Sequence, residues 1–221
     1  MTDATLLLRL RGPLQAYGVR SRYELRDTSP HPSKTAVIGM LCAALGRDRA
    51  EDISDLAALR FAARSDDEGR LLRDFQTVGL DGWISASGTV KRGRPKLSTK
   101  YYLADATFVV ALTGPAPALE TCAAALRDPV WPVYLGRRCC VPSAPLVITV
   151  AKVADPATPL GWLPYQGWRA YPPRSARIVV EDPTGPDMLE DQPVSFGPKR
   201  AYAMRLMSTR HVELSLEQEQ A

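Results

Sequence analysis

The sequence is poor in the residues that most often carry chemistry. It holds only two histidines, His31 and His211, and four cysteines, Cys42, Cys122, Cys139 and Cys140, none spaced as Cys-x-x-Cys. Structural zinc needs four clustered nitrogen or sulfur ligands, and no such cluster is visible. There is no G-x-x-x-x-G-K-[ST], no G-x-S-x-G and no H-E-x-x-H, so the usual signatures of phosphate-loop, serine-hydrolase and zinc-protease chemistry are missing. No apolar run approaches the roughly 20 residues that span a bilayer. The start, "MTDATLLLRLRGP", has an acid ahead of its short apolar run and arginines within it, which reads as a strand and not as a signal peptide. A cytoplasmic protein with reduced thiols is expected. Cys42 and Cys122 sit in apolar helical patterns and read as buried and inert.

What is present is a foldable chain with segregated charge. At 221 residues and 45% hydrophobic, it can bury one substantial core, with room for a small appendage. Net charge is only +4, but its distribution is uneven. Five arginines and a single acid, Glu24, lie between Arg9 and Arg26. Five basic residues and no acid lie in "KRGRPKLSTK", residues 91 to 100. Acids gather in "RDRAEDISD" and "SDDEG". Such segregation suggests a surface that faces a polyanion, against the plainer reading of a solvated charged face.

The local patterns give an element order. "TLLLRLRG" reads as a strand ending at Gly12-Pro13. "SKTAVIGMLCAALG" reads as a helix with Ser33 as N-cap and Gly46 as its close, apolar nearly all round and therefore buried against a sheet. "AEDISDLAAL" reads as a second short helix with acids in its first turn. "LRFAARS" and "LLRDFQTVG" flank "DDEG" and read as a β-hairpin turning at Gly69. A weakly patterned stretch, about residues 78 to 103, holds the densest basic run and reads as a protruding finger. "ATFVVALTG" reads as a strand and "PAPALETCAAALRDP" as a helix. The order β-α-(α)-ββ-finger-β-α predicts an α+β fold, ferredoxin-like or a modified RNA-recognition motif. Beyond Gly136 proline is dense, and "PLVITV", "ARIVVED" and "KRAYAMRLM" read as short strands. The expected division is a ferredoxin-like domain over 1–140 and a small β-rich part over 141–221.

Some residues qualify as site candidates on chemistry alone. Lys34 and Thr35 open a helix whose free N–H groups suit a phosphate oxygen; the alternative is a plain surface lysine. Lys91, Arg92, Arg94, Lys96 and Lys100 can neutralise phosphates, with Trp83, Tyr101 and Tyr102 near enough in sequence to stack on bases. A metal-free ribonuclease site would have to draw on Lys100, Tyr101 and a histidine, and His31 stands in a loop between prolines with no visible partner. "LGRRCC", residues 135 to 140, poses paired thiols behind paired arginines. With no second ligand pair, the informative half is Gly136, Arg137 and Arg138.

Taken in order, "LLLRLRGPLQAYG", "SPHPSKTAVIGMLCAALG", "RDFQTV", "YYLADATFVVAL" and "YLGRRCCVP" resemble the CasD subunit family of the type I-E CRISPR Cascade complex. The match spans most of residues 5 to 145 and thins to "KRAYAMRL" beyond. It implies a non-catalytic, RNA-binding subunit with no cofactor and no metal, which caps the 5′ handle of the CRISPR RNA. It also implies a thumb lying against the backbone subunit CasC, with the large subunit CasA docked nearby. On this resemblance Gln15 and Tyr17 match a G-P-x-Q-x-aromatic-G turn, Arg137 and Arg138 an L-G-R-R segment, and residues 91 to 100 the thumb. The RNA contacts expected are then Gln15, Tyr17, Arg20, Arg22, Arg26, Lys34, Thr35, Lys91, Arg92, Arg94, Lys96, Lys100, Tyr101, Arg137 and Arg138. The alternative is a metal-independent endoribonuclease like related type I-C subunits, although Tyr101 stands where a histidine would be needed.

Overall fold

The run of leucines in the first strand is explained by burial on both faces. In the computed structural model, which describes residues 2–19, 24–85, 87–93 and 95–214, β1 (Asp3–Arg11) lies inside a sheet covered on each side. Leu6, Leu8 and Leu10 enter one core with Phe61, Phe108, Val110 and Leu112. Leu7 enters a second core with Ala62, Val109 and Ala111. A strand buried on both sides reads as a continuous apolar run instead of an alternating one.

The chain continues through β2 (Leu14–Gln15), β3 (Leu25–Arg26), helix α1 (Lys34–Leu45), the single turn α2 (Ser54–Ala57) and β4 (Arg60–Asp67). Strands β5 (Arg70–Val78), β6 (Trp83–Ile84), β7 (Val90–Lys91) and β8 (Lys96–Ala104) follow. Then come β9 (Thr107–Pro115), α3 (Ala116–Arg127), β10 (Val147–Ala151) and α4 (Ala157–Trp162). The last strands are β11 (Ser175–Glu181), β12 (Asp187–Ser195) and β13 (Ala201–Glu213). The main sheet has seven strands in the order β10-β1-β9-β4-β11-β13-β12, all neighbours antiparallel. Helices α1 and α3 cover one face through Val37, Ile38, Leu41, Leu119, Cys122 and Ala123. The other face lies under Leu160 of α4 and Leu163, with Ile178 and Val180.

Helix α1 forms where its caps direct. The Ser33 side chain accepts from the Ala36 N–H, and Gly46 closes the helix in the left-handed conformation at φ 72°. Its even apolarity fits its place, wedged between the sheet and its neighbours. The second face is held by a buried ion pair. Arg64 donates through Nε to Asp66 at 2.6 Å, and its remaining donors reach the carbonyls of Leu160, Leu163 and Pro164.

Two expectations need correction. The strands either side of Gly69 do not pair with each other. β4 pairs with β9 and β11, whereas β5 pairs with β8 over nine residues, Arg70↔Ala104 to Val78↔Lys96. Gly69 is a turn, at φ 72°, but one that passes the chain from the main sheet to a second one; a Cβ there would stand 2.5 Å from the Ala104 carbonyl oxygen. Nor is there a sheet boundary near residue 140. β10 pairs with β1, β11 lies between β4 and β13, and strands from both sides of that point share one sheet. Local pattern locates a strand; the partner is chosen by long-range packing, which pattern does not record.

The second sheet builds the thumb. β8 is its spine, flanked by β2, β3 and β5, with the small β6–β7 hairpin at its tip. Cross-strand partners share a face, so the thumb has two unlike sides. Leu71, Phe75 and Leu97 stand on one, all exposed. Asp74, Gln76, Lys96 and Lys100 stand on the other, together with Leu72 and Val78.

Candidate nucleic-acid interface

The turn after β1 is a buried strut. Gln15 donates through Nε2 to the carbonyls of Leu10 at 3.2 Å and Ala106 at 2.7 Å, and its Oε1 accepts from the Tyr17 hydroxyl at 2.6 Å. Tyr17 packs edge-on against Phe108, and burial raises its hydroxyl well above the ordinary tyrosine value. Gln15 is fully buried and Tyr17 nearly so. Both are fastened to the protein and support the turn, and Tyr17 also borders a cavity beside it.

Helix α1 does not offer a free N-terminus either. The Lys34 N–H donates to the Asp191 carboxylate at 2.8 Å, and Thr35 donates through its hydroxyl to the Asp191 carbonyl at 2.6 Å. The Lys34 ammonium, 1% exposed, pairs with Glu181 at 3.1 Å, and burial lowers its pKa despite that partner. Asp191 is in turn paired with Arg205 at 2.8 and 2.9 Å, both buried. Lys34 is therefore no phosphate ligand here: a carboxylate of the chain itself occupies the place an anion would take. His31 lies beside this cluster, buried, its pKa lowered chiefly by desolvation. Its one side-chain hydrogen bond among the described residues is with the Pro32 carbonyl.

Arg137 is a clamp. Its guanidinium donates to the carbonyls of Tyr101 at 3.1 Å and of Arg26 and Asp27 at 2.9 Å each, and stacks 4.8 Å from the Tyr102 ring centroid. It ties the thumb spine to the strand of Arg26. The turn that presents it depends on Gly136, at φ 91°, where a Cβ would collide with the Ala16 carbonyl oxygen. The Cys140 N–H closes the turn on the Arg137 carbonyl at 2.8 Å. Cys140 is buried, with its thiol pushed up to about 12 mainly by desolvation. Cys139 is exposed and stands 3.6 Å from the Tyr102 hydroxyl. All four cysteines are free thiols.

Along this clamp runs a groove made of two adjoining cavities, of about 640 and 600 Å³. Thr35, Ala36, Gly136, Arg200 and Tyr202 border both. The first adds Arg26, Lys100, Arg137 and Glu190. The second adds Arg47, Arg49, Arg138, Trp131, Tyr134 and Phe196. Cations beside exposed rings are the equipment of single-strand binding: charge follows the backbone, and bases stack on aromatic faces. Arg26, Arg138 and Arg200 make no ion pair with any described residue. Of the residues expected from sequence, the groove gathers Tyr17, Arg26, Thr35, Lys100, Arg137 and Arg138. Lys91, Arg92 and Lys96 lie on the outer thumb, where Lys96 sits 5.4 Å over Trp83. Arg20, Arg22 and Arg94 fall outside the described residues. Tyr101 is half-buried on the apolar side of the thumb.

Sequence reasoning missed the wall made by Phe196, Arg200 and Tyr202. Their one signal is the basic "KRAYAMRL" after the proline-rich stretch. The model of the family described as "CRISPR-associated protein (Cas_Cas5)" matches residues 5–208. The chain belongs to the CRISPR-associated Cas5 family. The matched span takes in both walls of the groove and the thumb. Among relatives, this Cas5 chain is 35% identical over 166 residues to the CRISPR system Cascade subunit CasD of Escherichia coli (strain K12), covering 68% of this chain and 73% of that protein. It is also similar to a chain of a solved structure described as "CRISPR RNA-guided surveillance complex", with TM-score 0.83, 34% identity and coverage of 95% and 90% of the two chains. A third likeness, to a "Crystal structure of Cas protein", has TM-score 0.76, 38% identity and 95% coverage of each.

Proposed function

We propose that this Cas5-family chain is a non-catalytic RNA-binding subunit of a type I-E Cascade surveillance complex, and that it caps the 5′ handle of the CRISPR RNA. The observation that carries the reading is the groove between α1, the Arg137 turn and β13, where Arg26, Arg138 and Arg200 pair with no described acid and stand beside aromatic rings. The handle lies there, its phosphates on Arg26, Arg138 and Arg200. The apolar side of the thumb faces the backbone subunit CasC, since Leu71, Phe75 and Leu97 offer an RNA backbone nothing, and the large subunit CasA docks nearby.

The ferredoxin-like reading belongs to the same proposal. The segments β1-α1-β4 and β9-α3-β10, with strand order β10-β1-β9-β4, support a split β-α-β pair. The sheet face that RNA-recognition motifs use for base stacking is here covered by Leu160 and Leu163, which favours RNA in the groove instead.

The test is the salt dependence of RNA binding. Every phosphate of a single strand that the protein ceases to neutralise lowers the slope of log K against log salt by about 0.7. The double variant Arg138→Gln, Arg200→Gln should therefore bind handle RNA more weakly, with a slope reduced by about 1.4. An unchanged slope would remove the groove from the RNA path. Repeat RNA incubated with the protein in EDTA should stay intact; defined cleavage that disappears in Lys100→Ala would establish the endoribonuclease instead.

A further inference from the structure

One residue in the cavity of about 640 Å³ has the wrong charge for a phosphate channel. Glu190 lines the cavity that also holds Arg26, Lys100, Arg137 and Arg200. It makes no hydrogen bond or ion pair with any described residue. The backbone accounts for its position. β12 and β13 pair as Leu189↔Arg205 and then Gln192↔Ala203, so Glu190 and Asp191 together stand opposite the single residue Met204. A bulge of this kind re-aims a side chain. Asp191 keeps its inward path to Arg205 and to the start of α1, and Glu190 is released toward the cavity.

A carboxylate beside phosphates is repelled, so its use in such a groove is at a base edge. An ionised carboxylate only accepts hydrogen bonds, on two oxygens. Guanine alone among the four bases carries two adjacent donors on its Watson–Crick edge, N1–H and the N2 amine. Cytosine and adenine place a ring acceptor beside their amine, and uracil flanks its one N–H with carbonyls. Guanine also presents O6 next to its donors, an acceptor for an arginine. Tyr202, at the junction of the two cavities, gives the base a face to stack on.

We propose that this cavity reads one guanine of the bound RNA, with Glu190 accepting from its N1–H and N2 amine while Tyr202 stacks on the ring. The proposal rests on the RNA-binding reading above and adds sequence preference to it. The experiment measures binding of the full chain to short single-stranded RNAs that carry guanine, inosine, adenine or uracil at each position in turn, by fluorescence anisotropy. One position should prefer guanine over adenine about tenfold or more, with inosine, which lacks the N2 amine, in between. Glu190→Gln should abolish that preference, while affinity for guanine-free RNA rises, because a charge that repels the phosphates is gone. Tyr202→Ala should weaken all sequences alike. If the parent shows no preferred guanine, or if Glu190→Gln keeps the preference, the base-reading pocket is wrong while charge-driven RNA binding stands. If no RNA binds at all, both readings fall. Displacement of RNA by micromolar GMP would mark a free-nucleotide site and overturn the assignment to RNA.

Discussion

At the scale of single residues, the decisive feature is a buried ionic cluster. Asp191 accepts from the first N–H of α1 and pairs with Arg205, while Lys34 pairs with Glu181. Removing one partner of a buried pair leaves an uncompensated charge, at a cost of about 3–5 kcal/mol. Asp191→Ala should lower the urea midpoint accordingly. The double variant Asp191→Leu, Arg205→Met should recover much of the loss, since a packed apolar pair avoids the desolvation that the ions bear. His31, in the same cluster, adds a pH dependence. Burial, with the charges of Arg177 and Arg205, lowers its pKa below 6.5, and Asp191 opposes them. The unfolded chain therefore takes up this proton first as pH falls. The contribution is fully present above about pH 6.5 and is lost as pH falls toward the folded value. Urea midpoints of the parent should drop between pH 7.5 and 5.5, and those of His31→Gln should change less. Asp55, held below its ordinary 3.8 by Arg47, acts only at more acid pH.

At the scale of elements, the thumb carries the argument. Its pairing, β5 against β8, puts Leu71, Phe75 and Leu97 on one face and the charged Asp74, Lys96 and Lys100, beside Leu72 and Val78, on the other. The two faces should therefore fail separately. Leu71→Asp with Phe75→Asp should leave handle-RNA affinity near the parent value and reduce co-purification with the backbone subunit. A loss of RNA affinity as large as the loss of assembly would show that the apolar face touches RNA. The strand β5 and the turn at Gly69 were legible in sequence, because period and turn residues are local signals, whereas β8 fell in the weakly patterned stretch read as a finger. The pairing was not. Sequence placed β5 against β4, whereas β4 is taken by β9 and β11.

At the scale of the molecule, the C-terminal strands are part of the same core. β10 and β11 flank β1 and β4, and the second face is closed by Leu160, Leu163, Ile178 and Val180. Residues 1–140 alone would expose Leu7, Ala62, Val109 and Ala111 together with two sheet edges. Such a fragment should show no cooperative thermal transition by circular dichroism; a sharp transition would restore the two-part division. The groove has the same origin. Its near wall, Arg26, Lys100, Arg137 and Arg138, came from segments whose basic character and family pattern are visible in sequence. Its far wall, Glu190, Phe196, Arg200 and Tyr202, has only the short basic "KRAYAMRL" to mark it.

Sequence by itself determined the long first strand, the helices α1 and α3, the family pattern, the absence of the common catalytic motifs and the basic character of the thumb, because period, caps and motif order are written within short windows. The tertiary structure alone decided that Gln15, Tyr17 and Lys34 are fastened inside, that Arg137 is a clamp, and that β13 completes the groove. The reason is distance along the chain. The Asp191 carboxylate that occupies the start of α1 lies 157 residues from Lys34, and only folding brings it there.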